Sequence, residues 1–315
     1  MPLVWDNHGC LPLRPDGEFL PELYRYKRAG VDVVSVNVTF DMMAPGHGVE
    51  MARLFSEWIE TRPDIYVPKT VSDLTAPHNT DRLAVVFDIE GARAVEHDLA
   101  ALDQYAGLGV RTISAAYNLP NRVGGGCLDT DEGLTAVGRE FVRRTERAGM
   151  VVCCSHTGYR TSRDIIEMST NPVVFSHSNP LAMWDHPRYI PDDLIRLCAE
   201  SGGVVGINGV DIFLGTNDRP VDTLVKHAKY VADLVGVEHV GIALDYSFDS
   251  TELEDFFVAN REMFPSDAYG DTLDYVEPEA IPAIADELSR SGFRRQEIDR
   301  VMGLNWLRVA EQVWA

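Results

Sequence analysis

Two histidines in matched settings carry the strongest chemical signal in the sequence. Residues 150–188 read MVVCCSHTGYRTSRDIIEMSTNPVVFSHSNPLAMWDHPR. An apolar run stops at Ser155-His156, a short helical pattern follows, and a second apolar run stops at Ser176-His177. Two strands joined by a helix, each with a histidine at its C-terminal end, place both imidazoles at one rim of a parallel sheet. That rim is where α/β proteins put ligands and metals. A neutral imidazole is a good ligand for a divalent cation. A single strand-end histidine is often structural; its repetition within one βαβ unit argues for ligation.

Other strand ends offer further donors. The first apolar run leads into Asp6-Asn7-His8-Gly9-Cys10, and positions 8 and 10 share one face of an extended segment, so His8 and Cys10 can point at one ion. Later runs end at Asp88-Ile89-Glu90-Gly91, at Tyr117-Asn118 and at Asp245. Taken singly, Glu90 could cap a helix, Asp245 could pair with an arginine and Cys10 could simply be buried. Taken together, His8, Cys10, Glu90, His156, His177 and Asp245 exceed what one tetrahedral ion needs, which suggests two ions sharing a bridging carboxylate. His47, His78, His97, His227 and His239 fall on helices or loops without partners in sequence and read as surface residues. His186, beside Arg188, reads as a loop residue packed near the site.

The elements that must position these side chains are legible as apolar runs of strand length at 3–6, 31–39, 83–88, 110–116, 150–155, 172–176, 203–208 and 240–244. Most are continuous and rich in Val and Ile, as parallel strands covered on both faces should be. Helical spacing recurs between them, at 20–29, 47–61, 96–107, 133–149, 160–169, 191–200 and 221–236. An irregular acidic stretch at 245–278 precedes two further helices at 281–291 and 295–314. Eight βα repeats predict an α/β fold, a closed (β/α)8 TIM barrel with extra C-terminal helices, formed as one domain over residues 1–315. A doubly wound open sheet is the alternative, but no GxGxxG follows the first strand. Gly124-Gly125-Gly126 lacks a Lys-Ser/Thr and a following helix start, and reads as a mobile active-site loop.

Composition narrows the partners. The chain has 315 residues, 45% of them hydrophobic, a length that suits one large barrel. With 28 Lys and Arg against 49 Asp and Glu, its net charge of -21 repels phosphate backbones and anionic lipid, so neither nucleic acid nor a membrane surface is an expected partner. The opening residues, MPLVWDNHGC, show no basic n-region, and no run approaches the ~20 apolar residues of a membrane span. Five cysteines at 10, 127, 153, 154 and 198, without CxxC spacing, fit free thiols in a cytoplasmic, reducing setting. Cys153, Cys154 and Cys198 lie in apolar runs and read as core.

The segments DNHGCLP, FDIEGA, NLPNRVGGG, CSHTGY, PVVFSHSNPLAMWDHPRYIPDDLI, GGVVGING, HVGIALDYSFD and GLNWLRV carry a resemblance over almost the whole chain. It is similar to the membrane (renal) dipeptidase family, the M19 metallopeptidases of the amidohydrolase superfamily of (β/α)8 barrels. The resemblance implies that His8 is the first-strand ligand, that Glu90 bridges two zinc ions and that His156 and His177 complete the second metal position. It further implies that Asp245 handles the proton of the attacking water. Arg188, eleven residues after His177, would grip the substrate's terminal carboxylate. A homodimer is implied as well.

The sequence departs from the family pattern twice. The family's first motif is His-x-Asp, and Cys10 stands at its second position; a thiolate can also bind zinc. At the end of the fourth strand the family commonly carries a histidine, where this chain has Tyr117, whose phenol can donate to an oxyanion. Tyr117 and Asn118 are therefore expected to meet the substrate. The function implied is hydrolysis, with one or two zinc or other divalent ions, of dipeptides or similar small carboxylate-bearing amides. The alternatives are a divergent amidohydrolase acting on a non-peptide metabolite, or a catalytically silent barrel that binds a small molecule.

Overall fold

The structure is a computed structural model that describes residues 3–76, 81–215, 218–266 and 268–314. Nine strands form one sheet: β1 Trp5–Cys10, β2 Val33–Phe40, β3 Ile65–Tyr66, β4 Leu83–Glu90, β5 Val110–Ser114, β6 Val151–Cys153, β7 Val205–Asn208, β8 Val240–Ala243 and β9 Tyr246–Ser247. The parallel order is β6-β5-β4-β2-β1-β8-β7, with β3 beside β4 and β9 beside β1. Residues 172–176 close the ring. There Val174 bridges Cys153 of β6 and Phe175 bridges Val205 of β7, both in parallel. The eight apolar runs therefore occupy eight successive positions around a (β/α)8 barrel. The sixth of them is held by two isolated bridges instead of a regular strand ladder.

Continuous apolar runs do what the two-sided burial of a barrel strand requires: every residue of β4 is buried. One face of each strand packs under the helices. The other fills the barrel, where Trp5, Val86, Val151 and Val174 meet Trp306 and Val309 of the last helix, Asn305–Val313. That helix stoppers the N-terminal end of the barrel, and Trp306 Nε1 donates to the Ile242 carbonyl at 3.2 Å. The single helix expected at 295–314 is broken into Arg295–Asp299, a π-helical turn Arg300–Leu304 and Asn305–Val313. The break lets Gly303 lie on the backbone of Leu3, where a Cβ would come within 2.2 Å of the Leu3 carbonyl oxygen.

The stretch at 245–278 is not wholly irregular. It holds the helix Ser250–Ala259, started by Asp249, whose side chain accepts the Glu252 amide. Four acidic residues at 249–255 mask its apolar face in the sequence. The packed structure shows that face, with Phe257, Phe264, Tyr269 and Leu273 forming a separate aromatic cluster over the barrel mouth. No helix among the described residues is long and apolar enough to cross a membrane. All five cysteines are free, and Cys153, Cys154 and Cys198 are buried as expected.

Candidate metal centre and substrate cavity

The C-terminal strand ends bring one carboxylate into the middle of three imidazoles. Glu90 Oε1, at the end of β4, lies 3.0 Å from His156 Nε2, 3.2 Å from His177 Nε2 and 3.5 Å from His8 Nε2. His156 Nε2 and His177 Nε2 are 2.9 Å apart. Each ring is aimed by its other nitrogen. His8 Nδ1 meets Asp88 Oδ2 at 3.1 Å, His156 Nδ1 meets the Asn118 amide oxygen at 2.8 Å, and His177 Nδ1 meets Ser176 Oγ at 2.8 Å. Outward anchoring of Nδ1 turns Nε2 toward the centre, as metal-ligating histidines require.

A second group adjoins the first and shares His8. Cys10 Sγ lies 3.6 Å from His8 Nε2 and donates to Asp245 Oδ1 at 3.3 Å, and the same Asp245 oxygen is 3.6 Å from His8 Nε2. The structure thus draws together all six donors that the strand ends suggested: His8, Glu90 and His177 form one group, with His156 Nε2 against Glu90 and His177, and His8, Cys10 and Asp245 form an overlapping one.

The donor set fits a cation. Burial and the charge of Arg188 hold His156 well below the usual imidazole range, and burial with the charge of His8 takes His177 down to about 4. Both rings are therefore neutral near pH 7. Two nitrogen lone pairs 2.9 Å apart, each about 3 Å from an anionic oxygen, repel unless positive charge lies between them. Ligands of a tetrahedral ion with bonds of ~2.0–2.1 Å sit ~3.3 Å from one another, close to the separations seen here. Burial alone would raise Glu90, but the charge on His8 and the close contacts with His156 and His177 hold it well below the carboxylate range. His8 moves the other way. Burial would lower it, yet Asp88, Glu90 and Cys10 raise it well above the imidazole norm, a measure of how strongly this corner favours positive charge.

Backbone strain is concentrated at the same rim. Four non-glycine residues have positive φ among those described, and three of them, Asn118 (59°), His156 (64°) and Asp245 (57°), stand at this site. Such conformations cost ~1–3 kcal/mol each and persist where the surroundings fix them. Packing supplies that constraint: His8 stacks on His177 with centroids 3.9 Å apart, and Tyr117 stacks on His156 at 4.2 Å.

Several positioning residues are not evident from the donor pattern. Asn37 of β2 donates to Glu90 Oε2 at 3.1 Å, and Asn208, the last residue of β7, donates to Asp245 Oδ2 at 2.6 Å. Asp88 and Asn208 could have been found by the strand-end rule, since Asp88 alternates with Glu90 and Asn208 ends the seventh run. Asn37 lies inside its run and gives no such signal. Asp41, pushed up to about 6 by burial, accepts from the amides of Arg93 and Tyr117 and from Asn121, tying three strand ends together.

A cavity with about 130 Å³ open to the centre of a water molecule lies over these donors, and Cys10, Glu90, His156 and Asp245 form its floor. Tyr117 and Arg188 also line it. The Tyr117 hydroxyl has no hydrogen-bond partner among the described residues, and burial beside Glu90 keeps it protonated. The Arg188 guanidinium is buried, stands 4.7 Å over the Phe213 ring and donates from Nη2 to the His177 carbonyl at 3.4 Å. Its Nε has no partner, and no carboxylate of the described residues lies within ion-pair distance. His186, packed near the site as expected, accepts the Arg188 amide on Nδ1.

Three expectations are corrected by the packing. Asn118 does not line the cavity; it is fully buried behind His156, which explains its residue type without substrate contact. Gly124-Gly125-Gly126 is no mobile loop. All three are buried, and a Cβ at Gly126 would come within 2.1 Å of the Asn118 carbonyl oxygen, so glycine is needed for close approach. His227 is a buried residue of the helix Pro220–Val235, whereas His97 is exposed and His47 and His239 are half-buried. His78 lies outside the described residues.

Residues 27–260 match the sequence profile of the membrane dipeptidase family, peptidase family M19. The chain belongs to this family. An uncharacterised protein from the pqqA 5' region of Klebsiella pneumoniae is 31% identical over 74% of this chain and 83% of its own length. An uncharacterised dipeptidase of Schizosaccharomyces pombe is 31% identical over 75% of this chain, and the match spans 54% of that longer protein. Among solved structures, an amidohydrolase from Pseudomonas aeruginosa superposes with a TM-score of 0.86 at 25% identity, over 99% of this chain and 96% of that one. A metallopeptidase from Rhodobacter sphaeroides, solved with a phosphinate mimic of the dipeptide L-Ala-D-Ala, shares the fold at a TM-score of 0.80 and 22% identity, over 99% of each chain. The M19 profile match includes Glu90, His156, His177, Arg188 and Asp245, and begins beyond His8 and Cys10.

In this M19 chain the outer hydrogen bond to His8 gives a direct test. Asp88→Asn is expected to weaken retention of a divalent cation by roughly 10–100-fold, read by competition with a chromogenic chelator. Unchanged retention would show that Asp88 does not orient His8 for ligation.

Proposed function

We propose that the chain is a metal-dependent dipeptidase that hydrolyses dipeptides or closely similar small amides carrying a carboxylate. The observation that carries this reading is Arg188: a buried guanidinium, with no carboxylate partner among the described residues, on the wall of the cavity whose floor is Glu90, His156 and Asp245. A buried cation left unpaired is costly, and a substrate carboxylate would relieve that cost through a charge-assisted, bidentate contact.

Glu90, His156 and His177 would hold one cation, with His8, Cys10 and Asp245 around a second position. Imidazole and carboxylate with a thiol suit zinc. When bound, the cation supplies a Lewis acid and lowers the pKa of water from ~16 to ~7. The chain's own residues do the rest. Arg188 clamps the terminal carboxylate and so fixes which amide faces Glu90. Tyr117 donates its phenolic proton, as a hydrogen bond, to the carbonyl oxygen as negative charge builds there. Asp245, oriented by Asn208 and Cys10, takes a proton from the attacking water and returns it to the departing amine nitrogen. The hydroxyl of water ends on the acyl carbon, and the C–N bond breaks.

Blocking the carboxylate tests this reading. A dipeptide and its C-terminal amide should differ by roughly 10²-fold or more in kcat/KM, mostly through KM, because the amide leaves the Arg188 charge unpaired. Arg188→Met should lower the rate on the free dipeptide and erase the difference between the two substrates. Equal turnover of both by the wild-type chain would remove Arg188 from substrate binding.

A further inference from the structure

Once the metal donors and Arg188 are set aside, the rest of the cavity wall has one chemical character. Leu13 follows β1, Phe40 and Met43 stand at and beyond the end of β2, Ile212 follows β7, and Leu253 and Phe256 project from the helix Ser250–Ala259. Apolar side chains from four separate segments thus face one space. Among the described residues only two further charged groups line it, Asp249 and Glu252, and both are paired with Arg14, the first at 3.1 Å. An incoming charge on this side finds no unpaired partner.

We infer that the cavity selects amides whose acyl side bears a bulky apolar group, with Leu253 and Phe256 as specificity-determining residues. The inference rests on the reading of Arg188 as the carboxylate clamp. With the carboxyl end held at Arg188 and the scissile amide over Glu90, the acyl substituent is what remains to fill the apolar wall. Phe256 is positioned for this by edge contacts to Phe40 at 5.6 Å and Phe264 at 5.8 Å, and it is half-buried, so one face stays open to a ligand. An apolar pocket distinguishes side chains by the area each buries, and a missing methylene is worth roughly 10–200-fold in kcat/KM. A charged acyl side chain fares worse, because it loses water without gaining a partner. The shared chemistry is met by a dipeptide with a hydrophobic first residue and by an N-acyl amino acid.

The test is a kcat/KM panel with alanine of either configuration as the leaving residue. The acyl partners are Phe, Leu, Ala, Asp and Lys in dipeptides, and phenylacetyl and acetyl in N-acyl alanines. Phe or Leu should exceed Ala by roughly tenfold or more, with Asp and Lys lower still. Phe256→Ala should bring the Phe-to-Ala ratio toward one, with bound metal unchanged as the check on folding. Leu253→Lys should raise the rank of the Asp dipeptide, a gain that mere structural damage would not produce. Dipeptides cleaved without regard to the first side chain would overturn the inference and leave the dipeptidase reading intact. Cleavage of phenylacetyl-alanine over acetyl-alanine with every dipeptide inert would support the inference and sink the dipeptidase reading. Cleavage of neither class overturns both.

Discussion

Asp245→Asn is expected to lower kcat by roughly 10²–10⁴-fold, the range that a general acid–base group contributes, while the protein keeps its bound cation. The two expectations separate for a structural reason. Asp245 adjoins His8 and Cys10, but Glu90, His156 and His177 converge without it. Asparagine has the same shape and retains an oxygen for the Asn208 contact, yet it cannot accept a proton from water and return it to an amine. The loss should therefore fall on kcat and leave KM nearly unmoved, since the carboxylate clamp is untouched. Steady-state kinetics paired with elemental analysis of the variant makes the check. Full turnover would refute the proton-transfer role, and loss of metal together with turnover would recast Asp245 as an essential ligand.

Glu90→Gln should do more damage at an earlier stage. Three imidazole nitrogens lie within 3.5 Å of Glu90 Oε1, and this carboxylate carries the negative charge common to them. An amide of equal size removes that charge and can turn its NH2 toward the lone pairs of His156 and His177. The expected result is a fall in cation affinity beyond the roughly 10–100-fold that outer hydrogen bonds control, with turnover at background. Because Glu90 is buried and its Asn37 contact can persist, the fold should survive; circular dichroism and thermal unfolding would show it. A variant that keeps stoichiometric metal would mean that the histidines hold the ion unaided.

Strand ends were the most legible feature of this chain, because in a parallel barrel the position of a residue in its run also places it in space. The runs ending at His8, Glu90, His156, His177 and Asp245 all deliver those residues to one rim. What could not be read depends on contacts between segments distant in sequence. Asn37 supports Glu90 across 53 residues, and Asn208 supports Asp245 across 37. Gly126 looked mobile because glycine is permissive, but here it answers the need of two backbones to touch. The helix Ser250–Ala259 was hidden for a related reason: its acidic residues dominate the local pattern, while the aromatics that it packs against come from segments as far away as Phe40 and Tyr117. The exchange that matters most for chemistry, Tyr117 where the family commonly has histidine, was visible as a departure. Its consequence, a phenol stacked on the His156 imidazole, needed the three-dimensional arrangement.

A single titration decides whether the chain is a metal-dependent amide hydrolase built on Glu90, His156 and His177. The purified chain is stripped of divalent ions with a chelator, zinc is returned stepwise, and bound zinc and hydrolysis of a dipeptide with a hydrophobic first residue are followed together. The stripped protein should show no turnover, and activity should return in step with the occupancy of one or two tight sites. Undiminished hydrolysis with the ion removed, or full occupancy with no hydrolysis of any dipeptide or N-acyl amino acid, would contradict that reading.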